Sequence, residues 1–143
     1  MADQWKYQVR VYLNDGMSET ARRDDRAEAL RPLTRVLAKH RATMKCQFDA
    51  FADYVLEAEK HGTDAYPLYE WTKETIEDPE KKKKHLRAFA IRVDGQEMYD
   101  KGVADALEAE LQPLVRDELI TRISKHDSNP ANNLPLPARF RKT

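Results

Sequence analysis

The side chains here that could act on a substrate are one thiol, four imidazoles, several carboxylate pairs and one run of lysines. A catalytic thiolate needs a nearby base or positive charge to lower its pKa. His40 and His61 are the bases in sequence range of Cys46. Yet in residues 43–48, TMKCQF, Cys46 falls on the apolar side with Met44 and Phe48, where a buried structural cysteine is expected. His40, His61, His85 and His126 each adjoin a lysine or arginine, which disfavours a further cation. None is paired at i, i+4 with another ligand in the H-E-x-x-H manner, so no metal or other cofactor is expected. Acid–base catalysis needs two carboxyls in one cleft with their pKa values pushed apart. The pairs Asp24-Asp25, Glu57-Glu59, Glu77-Asp78 and Glu108-Glu110 all fall on polar helix faces. With four glycines in all, a phosphate-cradling glycine loop is not expected either.

The lysine run has more to offer. Residues 81–87 read KKKKHLR, and Tyr66, Tyr69 and Trp71 stand just upstream. A cationic groove with aromatic platforms is how single-stranded nucleic acid is held. Tyr69, Trp71, Lys83, Lys84, His85 and Arg87 are therefore the candidate contacts for an anion or a partner. Against this, Glu74, Glu77, Asp78 and Glu80 separate the aromatics from the lysines. The whole chain balances 25 basic against 25 acidic residues, so no net field draws it to a phosphate backbone or an anionic membrane. Nucleic-acid binding is not the leading expectation.

The elements that must position these residues follow from periodicity. Residues 5–13, WKYQVRVYL, alternate: Trp5, Tyr7, Val9, Val11 and Leu13 share one face and Lys6, Gln8, Arg10 and Tyr12 the other, as in a half-buried strand. Asn14-Asp15-Gly16 reads as a turn. Residues 18–28 are polar and read as a mobile loop or a solvated helix. Leu30, Leu33, Val36 and Leu37 recur at helical spacing, with Pro32 marking a kink or a helix start. Residues 43–48 alternate as in a strand, the favoured reading, while Met44, Phe48, Phe51 and Val55 also recur at helical spacing. Asp49 would cap a helix over residues 50–61, which Gly62 stops. Residues 66–78 predict another helix, and Glu80 to Lys84 a solvated link. Residues 86–93 form the second clear strand. Asp94-Gly95 is the strongest short hairpin signal, because both turn positions need positive φ. Residues 96–99 would return as a strand. A long helix follows from Val103, divided by Pro113, with a second piece running to Ile123. Residues 1–126 are expected to form one domain and residues 127–143 an extended proline- and asparagine-rich tail. Leu134, Leu136 and Phe140 would dock that tail on the domain or on a second subunit.

The expected architecture is α+β: a small mixed sheet of three to four strands packed by four to five helices. The order β-α-β-α-β-β-α over residues 7–111 resembles the thioredoxin-like fold, which also ends in a strand, an Asp-Gly or Asn-Gly turn, a short strand and a helix. The resemblance implies a scaffold only. Residues 14–18 hold no Cys-x-x-Cys and residues 82–86, just before the third strand, hold no proline, so no redox chemistry carries over. A single cysteine excludes an internal disulfide, and no run of ~18 apolar residues is present to span a bilayer. These features suit a soluble cytoplasmic protein. The leading expectation is a small non-enzymatic binding or assembly module that self-associates, most simply as a dimer. A small enzyme on a thioredoxin-like scaffold is the alternative, and nucleic-acid binding through residues 81–87 a weaker one.

Overall fold

The computed structural model describes residues 5–24 and 26–129. The sequence-derived tail docking through Leu134, Leu136 and Phe140 lies outside them. The described chain is an α+β fold of four strands and six α-helices. Strand β1, Tyr7–Tyr12, leads into helices α1, Asp15–Arg23, and α2, Arg31–Lys39. Strand β2, Ala42–Cys46, is followed by α3, Gln47–His61, α4, Tyr69–Glu77, and α5, Pro79–Arg87. Strand β3, Ala88–Val93, helix α6, Lys101–Arg116, and strand β4, Arg122–Asp127, complete the series. No described helix is long and apolar enough to cross a membrane.

The strands lie in the order β2-β3-β1-β4, and every neighbouring pair is antiparallel. It follows that β1 runs parallel to β2 with β3 between them, and β3 parallel to β4 with β1 between them. These are two interleaved split β-α-β units, the connectivity of a ferredoxin-like plait. Helices α3 to α5 occupy the place where a plait joins its second and third strands by a hairpin. The thioredoxin-like order is thereby corrected. No fourth strand precedes the long helix, and the last strand comes after it.

The even-odd alternation of β1 decides which face is which. Tyr7, Val9, Val11 and Leu13 are buried with Phe89, Ile91 and Val93 of β3. Helices α2 and α6 cover this face, contributing Leu33, Leu37, Leu107 and Leu111 to one apolar cluster. The other face carries Gln8, Arg10 and Tyr12 of β1, Ala88, Ala90 and Arg92 of β3, and Arg122, Ser124 and His126 of β4. The cross-strand pairs Gln8↔His126, Arg10↔Ala90 and Arg10↔Ser124 lie on this polar face.

Several local expectations need correction. Asn14 accepts a hydrogen bond from Met17 N–H and so caps α1, where a turn was expected. Asn and Asp suit both settings, which is why the triplet misled. Helix α3 begins two residues before Asp49, which pairs with Arg22 of α1 and caps nothing. The lysine run is no link. Asp78 accepts from Glu80 and Lys81 N–H, Pro79 sits in the first turn, and the lysines form helix α5. Pro113 stays inside α6 without dividing it, and residues 122–127 form an edge strand where a helix end was expected. The Asp94-Gly95 turn is present, with φ of 51° and 77°. Val93 and Gln96 exchange both backbone hydrogen bonds across it. Residues 96–99 make only isolated bridges: Gln96 to Val93, and Tyr99 to Tyr7.

Candidate anion site on the polar face of the sheet

Arg10 is the centre of the polar face. Its Nε donates to Gln8 Oε1 at 2.8 Å, and its Nη1 lies 3.4 Å from His126 Nε2. Gln8 is in turn fixed by donating through Nε2 to the Glu97 carbonyl at 2.9 Å. The guanidinium is half-buried, and among the described residues no carboxylate lies within ion-pair distance of it. Burial holds its pKa below the ordinary arginine range. A buried charge normally has a counterion, and this one is oriented by neutral groups alone.

The surroundings add positive charge. His126 Nε2 also lies 3.0 Å from Ser124 Oγ. Since Nε2 faces an arginine N–H, the neutral imidazole carries its proton on Nδ1. Burial pushes the His126 pKa down first, then Arg10 and Arg122; Asp127 pulls it up, and Lys84 adds the smallest push down. His85 is lowered by burial, then by Lys84, Arg10 and Lys81. It stacks edge-on against Phe51 at 5.0 Å, and its buried Nδ1 has no hydrogen-bond partner among the described residues.

Beside this cluster a hollow of about 420 Å³ is lined by Tyr12, Glu80, Lys83, Lys84, Arg87, Thr121 and Arg122. The Arg122 guanidinium lies 4.0 Å from the centre of the Tyr12 ring. Arg87 is tied to Asp15 of α1, whereas Lys83, Lys84 and Arg122 make no ion pair among the described residues. Helix α5 thus presents its lysines to the strand ends, joining the hollow to the Arg10 cluster through Lys84.

The structure brings together some of the residues expected from sequence. Lys83, Lys84, His85 and Arg87 stand beside the polar face. Tyr69 does not join them: its hydroxyl donates to Glu59, and Lys73 lies over its ring. Trp71 packs edge-on against Phe51, inside the small cluster that holds α3 to α4. Sequence reasoning missed Gln8, Arg10, Tyr12, Arg122, Ser124 and His126. The β1 residues carried a legible signal, the polar half of an alternating strand. The β4 residues were hidden by reading their segment as helix and tail.

The thiol and the remaining histidines do not converge. Cys46 is 3% exposed, and its Sγ donates toward the carbonyls of His85 and Leu86. Burial pushes its pKa up, which removes the nucleophilic thiolate. His40 faces Glu110 of α6 at 3.2 Å, and His61 ends α3. No family model, curated protein or solved structure matches this chain.

Proposed function

We propose that this protein is a non-enzymatic, cytoplasmic binding module that holds an oxyanion group of its partner, a phosphate or carboxylate, on the polar face of its sheet. The observation that carries this reading is the half-buried Arg10 guanidinium, oriented by Gln8 and His126 and lacking a counter-charge among the described residues. Such a group forms charge-assisted, bidentate hydrogen bonds to an incoming oxyanion without first breaking an ion pair. Lys84 and Arg122 supply the surrounding field. The nucleic-acid alternative is weakened on this face. Its one aromatic platform, Tyr12, is already taken by Arg122, and Ala88 and Ala90 offer no ring to stack on.

The test is a titration with inorganic phosphate, followed through side-chain NMR signals of Arg10, Gln8 and His126. Shifts at these groups that saturate below ~10 mM and weaken with added salt are expected. Arg10→Met should abolish them. It should also leave the protein more stable by about 0.5–2 kcal/mol, because a half-buried charge without a partner costs stability. If Arg10→Met binds phosphate as the parent does, or unfolds the chain, Arg10 is a structural residue and the reading fails.

A further inference from the structure

The second surface with unused bonding capacity is the free edge of β2. Among the described residues this strand ends the sheet, with β3 on one side only. Asp94 N–H donates to the Arg41 carbonyl at 3.0 Å, which fixes the parity of the β2–β3 ladder. Thr43 and Lys45 pair with Arg92 and Ala90 in phase with that bond. Their backbone groups therefore point toward β3, and the N–H and C=O of Ala42 and Met44 point outward. Two hollows flank the edge on its helix side. One, of about 550 Å³, is lined by the end of α1 with Met44, Cys46 and Asp49. The other, of about 380 Å³, is lined by Leu37, Ala38, Ala42, Thr43 and Met44. Met44 and Arg26 border both.

We propose that β2 is a self-association edge. Two copies pair β2 to β2 in antiparallel register about a two-fold axis at Met44 and extend the four-stranded sheet across both molecules. An open edge with outward backbone groups is a template for any extended chain; the register selects a second copy. Antiparallel pairing about Met44 sets Met44 opposite itself, Ala42 opposite Cys46, and Thr43 opposite Lys45. No lysine faces a lysine in that register. Like charges directly opposed would oppose pairing, and this strand has none in that register. The apolar half, Ala42, Met44 and Cys46, meets its own image on the helix side, where the flexible Met44 side chains have the two hollows to fill. Because the axis stands normal to the sheet, the polar faces of the two copies lie on the same side.

The test exploits the self-facing position. Sedimentation of the full chain should show a concentration-dependent dimer. Met44→Lys and Met44→Glu, each alone, should lose the dimer peak where the parent shows it, and an equimolar mixture of the two should regain it. A position not on the axis gives no such rescue. Thr43→Lys, at an exposed position facing Lys45 of the other copy, should also lose the dimer and serves if the Met44 variants fold poorly. Deleting residues 130–143 should leave the dimer intact. A parent chain that stays monomeric to ~1 mM, a dimer that survives Thr43→Lys, or a dimer lost on deleting residues 130–143 would each overturn the proposal.

Discussion

Tyr99 shows how much one hydroxyl can hold. The β1–β3 ladder opens beside Val9 and Ile91, and the Tyr99 hydroxyl fills the gap. It accepts from Val9 N–H at 2.7 Å and donates to the Ile91 carbonyl at 3.0 Å, all buried. Its backbone exchanges two further hydrogen bonds with Tyr7. Tyr99→Phe would leave two buried backbone groups without partners for a small change in shape. The expected loss is about 1–3 kcal/mol in denaturant unfolding, since the cost is the desolvation of orphaned groups. An unchanged midpoint would mean that water replaces the hydroxyl. Arg10 is the opposite case, a residue whose removal is expected to stabilise the chain. Cys46 shows how far residue type misleads alone: bonded to carbonyls at the end of α5, it is a packing residue.

At the scale of elements, the legible ones were those whose burial pattern is local. Strands β1 and β3 announced themselves by alternation, and β2 by Met44 and Cys46 on one side. The two-residue turn after β3 followed from Asp94-Gly95. A Cβ built on Gly95 meets nothing within 4 Å, so the cost of a side chain there is conformational. Gly95→Val should therefore lose about 1–2 kcal/mol from the left-handed φ alone, read as a lower melting temperature. No loss would show that the turn can relax to another type. Helix α5 was illegible for the converse reason. It has no buried residue, so it has no stripe to read, and its stability rests on Asp78, Pro79 and the basic residues of its last turn. Strand β4 is similar. Its residues are exposed or half-buried, and pairing with β1 specifies it.

For the whole molecule, balanced charge conceals a segregated one. Asp15, Asp105 and Glu110 answer Arg87, Lys101, Lys125 and Lys39 in surface pairs, while Arg10, Lys84 and Arg122 are left around the polar face. This arrangement sets the pH dependence of folding. His85 and His126 are depressed in the folded protein below the ordinary histidine value of about 6.5. Between that depressed value and 6.5 the unfolded chain binds more protons, so stability rises with pH. It is present in full above about pH 6.5 and is lost as pH falls through the folded-state values. Saturating phosphate should flatten this slope, because an anion beside Arg10 favours the protonated His126. Thermal melts between about pH 5 and 7.5, with and without phosphate, check both signs. Stability that is flat or falls with rising pH in that window would contradict the half-buried, neutral histidines.

The sequence alone determined what local physics determines. Strict alternation in β1 and β3 fixed two strands and their buried faces, helical spacing around Leu33 and Leu107 fixed α2 and α6, and an Asp-Gly dipeptide fixed a turn. It also separated a polar from an apolar face on β1, and so named Arg10 and Tyr12 as outward without giving them a role. Only the tertiary structure decided the strand order, which reversed the expected thioredoxin-like reading. Strand order depends on which edges meet across the core, and no local pattern records that. The proposed anion site is tertiary for the same reason. Its parts come from β1, β4 and the end of α5, far apart in the chain, and Arg10 meets no carboxylate among the described residues, which no reading of its neighbours in sequence can reveal.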